Sequence, residues 1–146
     1  MCVKVKNYLY QSNYSTKVPA KFNKQERLCS KKQIDLLFQK GSSTIAFPLK
    51  LIYMETELAY VKPCQAMFVV PKRSFKKAHD RNKLKRRMRE AYRLNKNALY
   101  EALNLKNKKI ILSFLFVGKK AEEYKEIETA IILQLKKIEV ALKPVK

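Results

Sequence analysis

Residues 72–93 read KRSFKKAHDRNKLKRRMREAYR and hold eleven lysines and arginines against two acids, Asp80 and Glu90. Such a density either binds a polyanion or forms a solvated face, and spacing decides between the two. At 3.6 residues per turn, Leu84, Met88, Ala91 and Tyr92 make one apolar seam that can dock on a sheet. Asn82, Arg86, Arg89 and Arg93 form a polar strip beside it, and Lys83 and Arg87 lie on the far flank. Lys85 adds a further cation to the same turns. Acidic partners four residues away are nearly absent, so the repulsion along the strip goes uncompensated inside the chain. Arginine's planar fork meets two phosphate oxygens at once and stacks on an exposed base. Asn82 offers both a donor and an acceptor, which a plain charge run would not need. Ahead of the strip, FVVPKR reads as a strand ending in Lys72 and Arg73, and the loop Ser74–His79 leads back to a helix capped by Asp80. Arg81 opens that helix. The chemistry expected of these residues is recognition of a phosphate backbone, not the making or breaking of bonds.

The rest of the chain supports that division. The 146 residues carry a formal charge of +21 with 47% apolar residues, which suits one domain with a modest core and a polyanionic partner. His79 is the only histidine and is assigned no chemistry; Cys2, Cys29 and Cys64 are scattered without metal-ligand spacing. Gly41 and Gly118 are the only glycines, so no glycine-rich phosphate cradle exists. No segment approaches the roughly 20 apolar residues of a membrane span, and the first residues lack the apolar run of a signal peptide. The expected location is the cytoplasm, with no membrane partner.

The elements that must position the strip follow from periodicity. Residues 1–25 are polar and basic, with Tyr8, Tyr10 and Tyr14, and are expected to form a mobile arm, with partial ordering against the domain left open; residues 26–146 form the domain. Ser30 caps a helix with Gln33 three residues on; Ile34, Leu37 and Phe38 share one face, and Gly41 stops it. Strands are expected over Ile45–Met54, with Phe47, Leu49, Leu51 and Tyr53 on one face, then over Ala59–Val61 and Gln65–Val70. In the last of these, Ala66, Phe68 and Val70 oppose Met67 and Val69. A helix follows over Asp80–Leu103, with a break near Asn95–Asn97. Ile110–Val117 reads as a buried central strand. The last helix spans Ala121–Leu142, with Tyr124, Ile127, Ile131, Leu135, Ile138 and Leu142 as its core stripe. The element order α-β-β-β-α-β-α defines an α+β fold, an α-β sandwich with about three helices.

RNKLKRRMREAYR (Arg81–Arg93) resembles the arginine-rich motif of the bacterial ribonuclease P protein component, R-N-R-x-K-R-x-x-R. Arg81, Asn82, Lys85, Arg86 and Arg89 match, and Lys83 stands where the pattern has arginine. ERLCSKKQIDLLFQKG is similar to the family's first helix, and FPLKLIY and FVVPKR resemble its first and third strands. The likeness covers roughly residues 26–142. It implies a four-stranded sheet with a left-handed parallel β-α-β crossover, against the general right-handed preference. It also implies an accessory subunit of an endoribonuclease whose catalysis resides in a large RNA, acting on precursor tRNA to leave a mature 5′ end, with Mg²⁺ held mainly by the RNA and the substrate.

On this reading Lys72, Arg73, Arg81, Asn82, Lys83, Lys85, Arg86, Arg87, Arg89 and Arg93 grip the catalytic RNA, and no residue of the chain is catalytic. A cleft between the sheet and the first helix would hold the single-stranded 5′ leader. Phe38, Phe47 and Phe68 are the candidates to line it; each could equally be core. The alternative is a ribosomal or general RNA-binding protein with no ribozyme partner. A DNA-binding helix-turn-helix is disfavoured, because strand-like FVVPKR stands where a partner helix is needed.

Overall fold

The computed structural model describes residues 21–57 and 62–142. A strap with one helical turn at Lys24–Glu26 leads into α1 (Lys31–Lys40), then β1 (Ser42–Ala46), β2 (Leu49–Thr56) and β3 (Cys64–Val69). Helices α2 (Ala78–Asn95) and α3 (Asn97–Leu105) connect β3 to β4 (Lys109–Phe116), and α4 (Tyr124–Leu142) closes the described chain. The sheet order is β1-β2-β4-β3. The β1–β2 and β2–β4 pairs are antiparallel and β3–β4 is parallel. Among the described residues the fold is therefore α+β, a mixed four-stranded sheet with four helices.

Burial on both faces explains why β4, the central strand, is apolar on both sides, with Ser113 its one polar residue between Ile110 and Phe116. Ile110, Leu112, Phe114 and Phe116 join the large core under α2, α3 and α4, while Ile111 points the other way, into a small cluster with Leu37 of α1 and Ile52. The α4 stripe behaves as expected: Ile127, Ile131, Leu135, Ile138 and Leu142 are buried.

Two local features differ from the sequence reading. The expected strand Ile45–Met54 is two strands of a hairpin that turns at Phe47-Pro48. Pro48 has no N–H to give to a ladder, and its carbonyl instead accepts from Val117 N–H at 2.9 Å. Phe47 thereby leaves the face it was expected to share with Leu49 and Leu51, and is 67% exposed. The helix expected to start at Asp80 starts at Ala78, with Lys77 at the cap position. Asp80 sits in the first turn instead, where its charge still favours the helix dipole. The expected break near Asn95–Asn97 falls at Lys96 and makes α2 and α3 separate helices. The proposed strand Ala59–Val61 lies outside the described residues.

Helix α1 is capped as expected, Ser30 Oγ accepting from Gln33 N–H. Gly41 ends it, but at φ −70°, not in the left-handed region. Its requirement is close approach: a Cβ there would stand 2.4 Å from Leu37 O and 2.8 Å from Ile52 Cγ2.

Candidate nucleic-acid interface

Helix α2 is fixed by its apolar seam. Leu84, Met88, Ala91 and Tyr92 are all fully buried. Tyr92 packs edge-on against Phe68 and Phe114, and its hydroxyl donates to Cys64 Sγ at 3.3 Å. Burial pushes the Cys64 thiol up to about 12, so it stays a neutral core group despite the bond from Tyr92. The helix cannot roll without opening this core. Its outer residues therefore have fixed directions.

On the outer side Asn82, Lys83, Arg86 and Arg89 are exposed, and Lys85 is half-buried. The preceding loop adds exposed Lys72, Arg73, Lys76 and Lys77. Arg81, Arg87 and Arg93 are bound within the protein. Arg81 donates to the carbonyls of Phe75 and Lys76 at 2.7 and 2.9 Å and so closes the loop onto the helix start. Arg87 donates to Glu122 O, tying the far flank to the segment before α4. Arg93 pairs with Glu90, its Nε 3.0 Å from Oε2; the hydrogen bond holds the Glu90 carboxyl below its usual range. The ten residues expected to bind RNA thus lie on one loop and one helix, and these three also brace that surface.

The aromatic candidates separate. Phe38 on α1 and Phe47 in the hairpin turn are exposed, at 47% and 67%. Phe68 is half-buried on the α2 side of the sheet, stacked on Phe114 with centroids 5.7 Å apart and edge-on to Phe22. Its chain neighbour Met67 lies on the other face, in the cluster with Ile52 and Leu37 of α1.

Partial ordering of the arm against the domain, which the sequence left open, takes the form of the strap. Residues 21–25, assigned to the arm, lie against the domain: Phe22 packs on the large core, and Gln65 Nε2 donates to Gln25 O at 3.1 Å. The fastening is a buried ion pair between Glu26 and Lys96. Tyr100 hydroxyl and Asn23 N–H each donate to the Glu26 carboxylate at 2.7 Å, and Lys96 also donates to Lys21 O. Burial alone would push the Glu26 carboxyl up; the bonds from Lys96, Tyr100 and Asn23 outweigh it and lower the value. A single acid within a basic stretch was the one available signal. The strap also carries Arg27, whose guanidinium lies 5.9 Å over the Phe22 ring.

Among the described residues no group of three His, Cys, Asp or Glu side chains is placed to hold a metal ion. No helix there is long and apolar enough to cross a membrane.

Comparisons with known proteins agree with this geometry. The family model for Ribonuclease P matches residues 22–139. The chain is 34% identical over 119 residues to a ribonuclease P protein component of Porphyromonas gingivalis, covering 77% of this chain and 84% of that one. It is 39% identical over 93 residues to that of Chlorobaculum tepidum, covering 59% and 60%. The RNase P protein from Thermotoga maritima superposes with a TM-score of 0.62 at 22% identity, over 77% of this chain and 96% of that one. The Staphylococcus aureus RNase P protein gives 0.58 at 19%, over 77% and 94%. A helix glued down by its seam with cations outward, on a fold shared with these proteins and a sequence matched along most of its length, places the chain in the ribonuclease P protein family.

Proposed function

We propose that the chain binds the catalytic RNA of ribonuclease P through α2 and the loop before it, and assists 5′ maturation of precursor tRNA in the cytoplasm. The observation that carries this reading is the division of α2: one side wholly buried, the other presenting Asn82, Lys83, Arg86 and Arg89 with Glu90 as its one exposed acid, itself taken by Arg93. Phosphates of a folded RNA supply the missing counter-charge. The RNA carries the chemistry and, with the substrate, holds Mg²⁺; the described side chains offer no carboxylate cluster that fits the ion. The protein's part is to neutralise phosphate repulsion, so that substrate and Mg²⁺ bind the RNA more readily.

The precursor's single-stranded 5′ leader would lie across the side of the sheet that α1 covers in part. Phe38 on α1 and Phe47 in the hairpin turn offer exposed rings for stacking without strong sequence demands, and Phe68 contributes from the opposite face at most at the sheet edge. DNA and membranes are not expected partners.

Reconstitution tests the reading. Added to catalytic RNA at low Mg²⁺, the protein should stimulate cleavage of precursor tRNA at the mature 5′ end. RNA binding without stimulation would favour a general RNA-binding protein.

A further inference from the structure

A groove of about 250 Å³ runs beside the outer edge of β3, between the strap and α2. Phe22, Leu28, Ala66 and Met67 give it an apolar lining. Two guanidinium groups, Arg27 from the strap and Arg89 from α2, border it, and no acid does.

The edge of β3 adds a second feature. Leu28 N–H donates to Ala66 O at 3.0 Å, and Arg27 and Ala66 form an isolated parallel bridge. That pairing stops there, because the chain turns into α1 after Ser30. Peptide groups of a strand alternate between its two edges. Phe68, two residues beyond Ala66, therefore presents its N–H and C=O to the groove side, away from β4. The free edge is too short for an added peptide strand, since Pro71 follows closely and has no N–H.

We propose that this groove is a slot for one unpaired nucleotide of a bound RNA. Every base carries a hydrogen-bond donor and an acceptor side by side on its pairing edge, which matches the N–H and C=O of Phe68. The flat apolar face of the base suits the Phe22–Met67 lining, and the phosphate falls to Arg27 and Arg89. A paired base would have that edge already occupied, so the slot selects a splayed nucleotide. Arg89 makes it continuous with the strip on α2. The inference rests on the RNA-binding reading above and adds a defined pocket to it.

Cys29 lines the groove and is exposed, whereas Cys64 is buried. In the full chain carrying Cys2→Ser, a thiol reagent therefore reports on Cys29. The probes are a labelled tetra-adenylate and the same sugar–phosphate chain without bases; fluorescence anisotropy measures their binding anywhere on the protein. At a free concentration about ten times its dissociation constant, tetra-adenylate should slow Cys29 modification about tenfold, since only unoccupied slots react. The abasic chain should leave the rate within about twofold. Arg27→Ala, an exposed change outside the Glu26–Lys96 network, should raise the concentration for half-protection roughly tenfold. Tetra-adenylate that binds while Cys29 reacts at its free rate, or equal protection by the abasic chain, overturns the slot and leaves the RNA-binding reading standing. Failure of both probes to bind at low salt overturns both.

Discussion

Replacing Lys96 by methionine removes one charge from the pair that fastens the strap. Lys96 is 4% exposed and Glu26 1%. Methionine fills much of the lysine stem's volume but loses the ammonium over Phe22 and Tyr100 and leaves Glu26 buried, with bonds only from Tyr100 and the Asn23 N–H. Breaking a buried pair on one side costs about 3–5 kcal/mol. The two surviving bonds to the carboxylate hold the loss near the lower end, about 3 kcal/mol at pH 7.

The pH dependence separates lost charge from lost packing. In the native protein the Glu26 carboxyl titrates below its ordinary 4.5, so its contribution is full above that value and is lost as pH falls through the folded one. Without Lys96, desolvation prevails and the folded value rises above the unfolded one. The folded state then takes up a proton, and stability increases as pH falls, by up to about 1.4 kcal/mol per pH unit between the two values. The deficit of Lys96→Met should therefore shrink between pH 7 and pH 5. Urea titrations of both proteins, followed by circular dichroism at the two pH values, measure it. A deficit under about 1 kcal/mol at pH 7, or one that stays constant down to pH 5, would refute the claim that buried charge holds the strap. Glu26→Gln in the Lys96→Met background should recover part of the loss.

Asn82→Ala with Arg86→Ala should weaken binding to the catalytic RNA and flatten its salt slope by about one, the share of the single lost cation; an unchanged slope in a filter-binding series would remove Arg86 from the interface. Phe47→Ala should leave folding intact, because the ring is 67% exposed, yet reduce the gain in affinity that a longer 5′ leader brings; equal gains in both proteins would place the leader elsewhere. Gly41→Ala should lower thermal stability by about 1–3 kcal/mol, because Leu37 O is backbone and cannot yield; an unchanged melting temperature would mean that the α1–β1 junction relaxes freely.

The α2 seam was legible because contrast is greatest there: four apolar residues at helical spacing among eleven cations leave one way to bury the helix. The division at Phe47-Pro48 was not, since Phe47, Leu49 and Leu51 keep strict alternation across the turn and period alone sees one strand. Both faces of β3 are apolar, so alternation paired Phe68 with Ala66 and Val70 correctly but could not say which face meets α1. Lys96 is the hardest case. A lysine reads as exposed, and its burial depends on Glu26, seventy residues away in sequence. Arg81 and Arg87 carry the related lesson that a cation in a binding strip can also be spent on a carbonyl of its own chain.

These features bear on how a chain of +21 holds a basic strap beside a basic helix. Lys24 and Arg27 on the strap stand in the field of α2, and at the surface such charges repel one another weakly because water and salt screen them. A carboxylate at the surface would be screened to the same degree and would hold little. Buried with Lys96, Glu26 acts where screening is least, and its hydrogen bonds fix direction as well as distance. The carboxylate is thus removed from the exposed cationic surface while it anchors that surface. The strap can then present Arg27 across from Arg89 without an exposed acid between them to compete for phosphate. An acid placed in the groove would also have brought the two arginines together, but by occupying the position that an incoming anion needs.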